Sequence, residues 1–198
     1  MAILLRSEID ALGFASVGED VRISDKVALY NCSCISLGNH VRIDDYCVLS
    51  AGNGGIEIHD YIHIAVYCSL IGEEKITISD FANLSSRVSI YSSNDDYTGM
   101  HMTNPMVPPA FTGVVHEDVF LGKHVIIGSG SVILPGAYLD MGSAVGSLSL
   151  VKGRCEQFKI YAGVPARPIG ERQRNLLLLE AAFRSKLQSA PVDSHEES

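Results

Sequence analysis

The sequence predicts an all-β solenoid, a left-handed parallel β-helix that carries a long excursion loop and ends in a C-terminal α-helix. Three observations carry this. Aliphatic residues recur at every sixth position over most of the chain, the residue two before each is usually small or β-branched (Glu74 is the exception), and the repeat stops for one long stretch between Ile90 and Leu121. No helical period gives a spacing of six, whereas the stacked coils of a parallel β-helix do.

The anchors form five series. Val17, Ile23, Leu29 and Ile35 come first. After a slip of two come Leu37, Ile43 and Leu49, then Ile58, Ile64, Leu70 and Ile76, then Ile78, Leu84 and Ile90. The last and longest is Leu121, Ile127, Ile133, Leu139, Val145 and Val151. Side chains alternate along a strand, so the anchor and the residue two before it both face inward. Val21, Val41, Cys47, Cys68, Ala82, Val88, Val125, Ser131, Ala137, Ser143 and Ser149 fill that second position. Three hexads make one triangular coil, which predicts three vertical columns: Ile43–Ile64–Leu84–Ile127–Val145, Leu49–Leu70–Ile90–Ile133–Val151, and Leu37–Ile58–Ile78–Leu121–Leu139. Gly38, Gly122, Gly128 and Gly146 directly follow anchors and are expected to ease the corners.

Residues 1–156 are thus assigned to the solenoid, with 91–118 as its excursion. The excursion holds Gly99, Pro105, Pro108 and Pro109, so neither helix nor strand is expected in it. It also carries Tyr91, Tyr97, Met100, Met102, Met106 and Phe111, residues that disordered loops avoid. It reads as an ordered arm that packs on a neighbouring subunit. Residues 157–188 are assigned to a tight turn (AGVPARP) and an amphipathic helix from about 171, and 189–198 to a flexible polar tail.

Composition narrows the function. Net charge is −8 and the isoelectric point about 5.3, which disfavours nucleic acid as a partner. No run of 18 apolar residues is present, so membrane insertion is not expected. Cys32, Cys34, Cys47, Cys68 and Cys155 are odd in number and lack metal spacing. With no recognisable export signal at the start, they are expected to be reduced, in a cytoplasmic protein.

The stretch LGKHVIIGSGSVILPGAYLDMGSAVGSLSLV followed by IYAGVPARPI resembles the hexapeptide-repeat acyltransferases, over roughly residues 15–172. Among these, SSNDDYTGMHMTNPMVP is most similar to bacterial surface-polysaccharide acetyltransferases, including those acting on nucleotide-linked 4-amino-4,6-dideoxy sugars of O-antigens. The resemblance implies a homotrimer with sites at subunit interfaces. It implies acetyl-CoA as co-substrate and a sugar or nucleotide sugar as acceptor, with no metal. Gly128, Ser129, Gly146 and Ser147 would then line the thioester and pantetheine. Lys152 and Arg167 would meet the phosphates of CoA, whereas Arg154 and Arg172 are expected to be ordinary solvated charges. A backbone N–H near Ser129 or Gly146 would bind the developing oxyanion.

One departure bears on mechanism. Relatives of the galactoside type open the loop with Asn-His, and that histidine is the general base. Here the pair is Asn94-Asp95, followed by Asp96. Three readings stand. Asp95 or Asp96 is the base, two adjacent carboxylates being able to raise one another's pKa. Or the acceptor is an amine, which needs little enzymic base. Or another histidine acts: His63 faces outward one rung from Asn83, and His101 and His116 lie in or at the end of the arm. Asn83, Asn94, Tyr91 and Tyr97 are candidate acceptor contacts. Two rivals remain. A sugar hydroxyl could be the acceptor, or the solenoid could be a non-catalytic scaffold. A zinc hydratase of this architecture needs three converging histidines, and His59 and His63 have no third partner at rung spacing.

Overall fold

A computed structural model describes residues 2–189, so the expected tail beyond 189 lies outside the described residues. Within them the chain is a parallel β-solenoid whose coils are stacked into three sheets of seven, eight and six strands. The three predicted columns occur as written. Ile43 pairs Ile64, then Leu84, Ile127 and Val145. Leu49 pairs Leu70, Ile90, Ile133 and Val151. Leu37 pairs Ile58, Ile78, Leu121 and Leu139. All these anchors are buried. Each buried Leu or Ile stabilises by roughly 1.5–3 kcal/mol, so the columns hold the coils together.

The inward position two before each anchor depends on the face. On the Leu49 column it is Cys47, Cys68, Val88, Ser131 and Ser149, all buried. On the Leu37 column it is Ile35, Ile56, Ile76, Val119 and Ala137, also buried.

The glycines after the anchors do not ease corners by backbone freedom. Left-handed φ occurs instead at other residues, among them His40, Tyr61, Phe81 and His124 at +57°, +58°, +59° and +61°. These four occupy one corner on successive rungs. Their rings stack at centroid distances of 4.5, 4.9 and 5.0 Å, contacts that offset the strain of αL backbone at non-glycine residues. Gly38 is needed for proximity: a Cβ there would lie 2.5 Å from Asp60 Oδ1 and 2.7 Å from the His59 carbonyl carbon on the next rung.

Both ends are covered. Helix α1 (Arg6–Ala11) buries Ile9 against the first coil. At the other end the sheet runs past the expected limit at 156. Lys159–Ala162 adds to it in parallel, and Arg167–Glu171 folds back antiparallel on that strand. The segment after the AGVPA turn is therefore a strand, and helix α2 is Asn175–Ser189, starting later than expected. Gly170 and Pro168 in the pairing segment explain the delay, since neither favours a helix interior. Helix α2 lies on the aromatic corner. Phe183 meets Tyr61 and Phe81 edge-on, and Glu180 takes Lys123, His124 and Arg184.

The excursion is ordered, but it is not free of strand. Ser93–Asn94 pairs antiparallel with Val115–His116, closing a neck at its base. Pro109–Phe111 forms a 3₁₀ turn. Tyr97, Met100, Met106 and Phe111 remain exposed at 87%, 81%, 88% and 60%. These four side chains give the arm an exposed apolar surface.

Candidate active site at the neck of the arm

A cavity of about 910 Å³ opens between the arm and the solenoid. The strand ending at Tyr91 delivers the chain to the neck, and the antiparallel ladder then fixes which side chains face in. Tyr91, Asn94, Asp95 and Tyr97 line this cavity, together with Ser93, Asn104, Thr112 and His116. Four expected site residues are thereby brought together. His63 and Asn83 are adjacent to each other, as rung arithmetic predicted, but they stand on the sheet of the Ile43 column, not among the residues lining this cavity.

The two neighbouring aspartates differ sharply. Asp96 is filled: it accepts from the Thr98 N–H and hydroxyl at 2.7 and 2.6 Å, and from the His101 N–H at 2.9 Å, with His101 Nδ1 at 3.1 Å. The Thr98 hydroxyl and amide, then His101, hold its carboxyl well below the usual carboxylate range. Its oxygens are occupied by Thr98 and His101 and it is not among the residues lining the cavity, so the structure does not bring Asp96 to the site beside Asp95. Its role is turn chemistry that shapes the arm. Asp95 accepts no hydrogen bond through its carboxylate among the described residues and is exposed at the cavity.

His63 is not a free imidazole. Its Nε2 lies 2.9 Å from Asp44 Oδ2, and Arg42 Nε donates to the other oxygen at 2.7 Å. Burial works to raise the Asp44 pKa, but the bonds from His63 and Arg42 outweigh it and hold the carboxyl low. Asp44 escaped the sequence reading. Its signal was position: it is the residue after anchor Ile43, one rung below His63.

The glycine–serine corner also needs correction. The Gly146 N–H donates to Tyr161 O at 2.8 Å and the Gly128 N–H to Val145 O at 2.7 Å, so neither is available to an oxyanion. The Ser129 and Ser147 amides donate to no protein acceptor among the described residues and lie on exposed residues one rung apart. Gly128 is required for stacking, since a Cβ would sit 2.5 Å from Ser147 N. Gly128→Ala is expected to destabilise the fold by about 1–3 kcal/mol through forced rung separation. A thermal melt without any ligand checks this, and an unchanged melting temperature refutes it.

Lys152 and Arg167 line a second cavity of about 370 Å³ at the C-terminal end. Neither forms an ion pair among the described residues. The other two cations are engaged. Arg154 grips Asp140 with two bonds at 2.8 and 3.1 Å, and Arg172 donates to the carbonyls of His124 and Gly142 at 2.6 and 3.0 Å. Arg172 is thus a structural clasp, not a solvated charge. No group of three His, Cys, Asp or Glu side chains stands ready for a metal among the described residues.

A parallel β-solenoid whose arm closes over a cavity holding a free carboxylate, with unpaired cations at its C-terminal end, suits an enzyme that transfers an acyl group from CoA. The chain belongs to the hexapeptide-repeat acyltransferases. A dTDP-4-amino-4,6-dideoxy-D-glucose acyltransferase from Escherichia coli is 58% identical to it over 184 residues, which are 93% of this chain and 96% of that protein. AntD, an N-acyltransferase from Bacillus cereus solved with dTDP and 3-hydroxybutyryl-CoA, superposes with a TM-score of 0.90 at 42% identity, over 94% of this chain and 98% of that one. A serine-to-alanine variant of AntD, solved with dTDP-4-amino-4,6-dideoxyglucose and coenzyme A, gives a TM-score of 0.91 at 41% identity, over 93% and 98%. No protein-family model matches the chain.

Proposed function

We propose that this enzyme transfers an acetyl group from acetyl-CoA to the amine of a dTDP-linked 4-amino-4,6-dideoxy sugar, a building block of O-antigen or other surface polysaccharide. The observation that carries the reading is Asp95, a carboxylate with no protein partner in the cavity of the arm, in a chain 58% identical to an acyltransferase named for such a sugar. Asp95 receives the ammonium form of the acceptor and takes its proton. The amine nitrogen then attacks the thioester carbonyl. The C–N bond forms, the C–S bond breaks, and CoA leaves as a thiolate that takes up the released proton. The Ser129 or Ser147 N–H meets the developing oxyanion, and Lys152 and Arg167 hold the phosphates of CoA. No acyl-enzyme is needed, since the amine is itself the nucleophile.

The working unit is a homotrimer in this reading. The exposed apolar arm of one copy crosses to its neighbour, bringing Asp95, Asn94, Tyr91 and Tyr97 to the face that carries His63 and Asn83. Free cysteines are consistent with a cytoplasmic, reducing setting. A hydroxyl acceptor is favoured by one observation, the Asp44–His63 pair, which has the form of an oriented general base.

Release of CoA thiol on mixing acetyl-CoA with dTDP-4-amino-4,6-dideoxyglucose tests the proposal, with light scattering to measure assembly. Rapid release yielding an amide, from a trimer, is expected. Release only with the 4-hydroxy counterpart transfers the assignment to O-acetylation, and none with either sugar removes it.

A further inference from the structure

His116 returns to the neck on the second strand of the arm, where Ser93 holds one nitrogen of its ring. Ser93 Oγ accepts the Glu73 N–H at 2.9 Å and lies 2.8 Å from His116 Nδ1. We take the hydroxyl to donate to Nδ1, its one acceptor among the described residues. A neutral imidazole then carries its proton on Nε2. The Glu73–Ser93–His116 chain thus holds the ring as a donor.

The ladder decides what that donor stands beside. Ser93 pairs His116 and Asn94 pairs Val115. Alternation puts Tyr91, Ser93 and Asp95 on one face, opposite Val114 and His116. All five line the 910 Å³ cavity. One wall therefore presents a free carboxylate and, diagonally across the ladder, a neutral N–H. An ammonium group and a hydroxyl on the adjoining carbon complement that pair: the carboxylate takes the first, the imidazole N–H the oxygen of the second. In a 4-amino-4,6-dideoxyhexose that oxygen is the 3-hydroxyl, because carbon 5 offers only the ring and a methyl branch.

We infer that His116 is a further acceptor-binding residue, whose Nε2–H donates to the hydroxyl next to the amine, with Ser93 as its positioning residue. The inference rests on the amino-sugar reading above. It assigns His116 to recognition and leaves the proton to Asp95.

The test compares two replacements that imitate different halves of the ring. Glutamine reaches as far as Nε2 and retains an N–H donor in the cavity. Asparagine reaches only Nδ1 and keeps the Ser93 contact alone. Steady-state rates with dTDP-4-amino-4,6-dideoxyglucose are read beside thermal melts of each variant. His116→Asn is expected to raise KM about tenfold with kcat within about threefold, the effect of one lost hydrogen bond, while His116→Gln stays within about threefold of wild type in KM. Ser93→Ala is expected to fall between them. Asn and Gln variants that behave alike, both normal or both impaired, overturn the inference while the amino-sugar reading stands. A wild-type enzyme that leaves this sugar unacetylated overturns both.

Discussion

Asp95→Asn is expected to lower kcat/KM for the amino sugar by about a hundredfold or more, the range of a lost acid–base group. The change keeps the shape of the side chain and removes its charge. Since the Asp95 carboxylate has no protein partner among the described residues, the melting temperature is expected to stay constant. Asp96→Asn provides the contrast. It breaks a turn in which one carboxylate gathers Thr98 and His101, so its expected signature is faster proteolysis within 97–112. Limited digestion of both variants beside their kinetics separates the roles. An Asp95→Asn enzyme within a few-fold of wild type would remove Asp95 from the chemistry and leave the proton to His63 or to solvent.

The second large effect concerns the docking of helix α2. Glu180 is 9% exposed and takes three donors: Lys123 at 2.6 Å, His124 at 2.7 Å and Arg184 at 2.6 Å, with Asp80 beyond Arg184 at 3.2 Å. Burial works to raise its pKa, but hydrogen bonds from Lys123, Arg184 and His124 more than offset this and bring it from 4.5 to about 2. A folded pKa below the unfolded one adds stability that is complete above about 4.5 and lost as the pH falls toward 2. A shift of that size corresponds to at most about 3 kcal/mol. Glu180→Gln is expected to cost about 2 kcal/mol of helix docking near neutrality, raising amide exchange across 175–189 about thirtyfold. It should also abolish the acid sensitivity between pH 5 and 2 that the wild-type helix shows. Equal exchange in the two proteins would mean that Phe183 alone holds the helix.

The aromatic corner beneath that helix illustrates what periodicity conceals. Positions 40, 61, 81 and 124 sit one rung apart, yet no sequence motif ties His40 and His124 to Tyr61 and Phe81. Their common feature is a left-handed corner residue whose ring lies over the next. Only stacking in three dimensions makes them one ladder. Asp44 and Ser93 were overlooked for the same reason. Neither has a motif of its own, and each matters through a partner 19 or 23 positions away.

The solenoid itself was determined by the sequence alone. A six-residue period with paired inward positions has one low-energy solution, because each anchor must be buried against the same residue of the next coil. The three columns and the arm at 91–118 were legible on that basis, whereas Asn94, Asp95, Tyr91 and Tyr97 came forward as candidates through the resemblance of the loop. The tertiary structure decided how identical residue types divide their labour. Asp95 and Asp96 are adjacent in the chain, but a turn consumes one carboxylate and leaves the other open. The amides of Gly128 and Gly146 are spent in the ladder while those of Ser129 and Ser147 are not. Hydrogen-bond saturation is a property of neighbours in space, and a local sequence pattern does not record it.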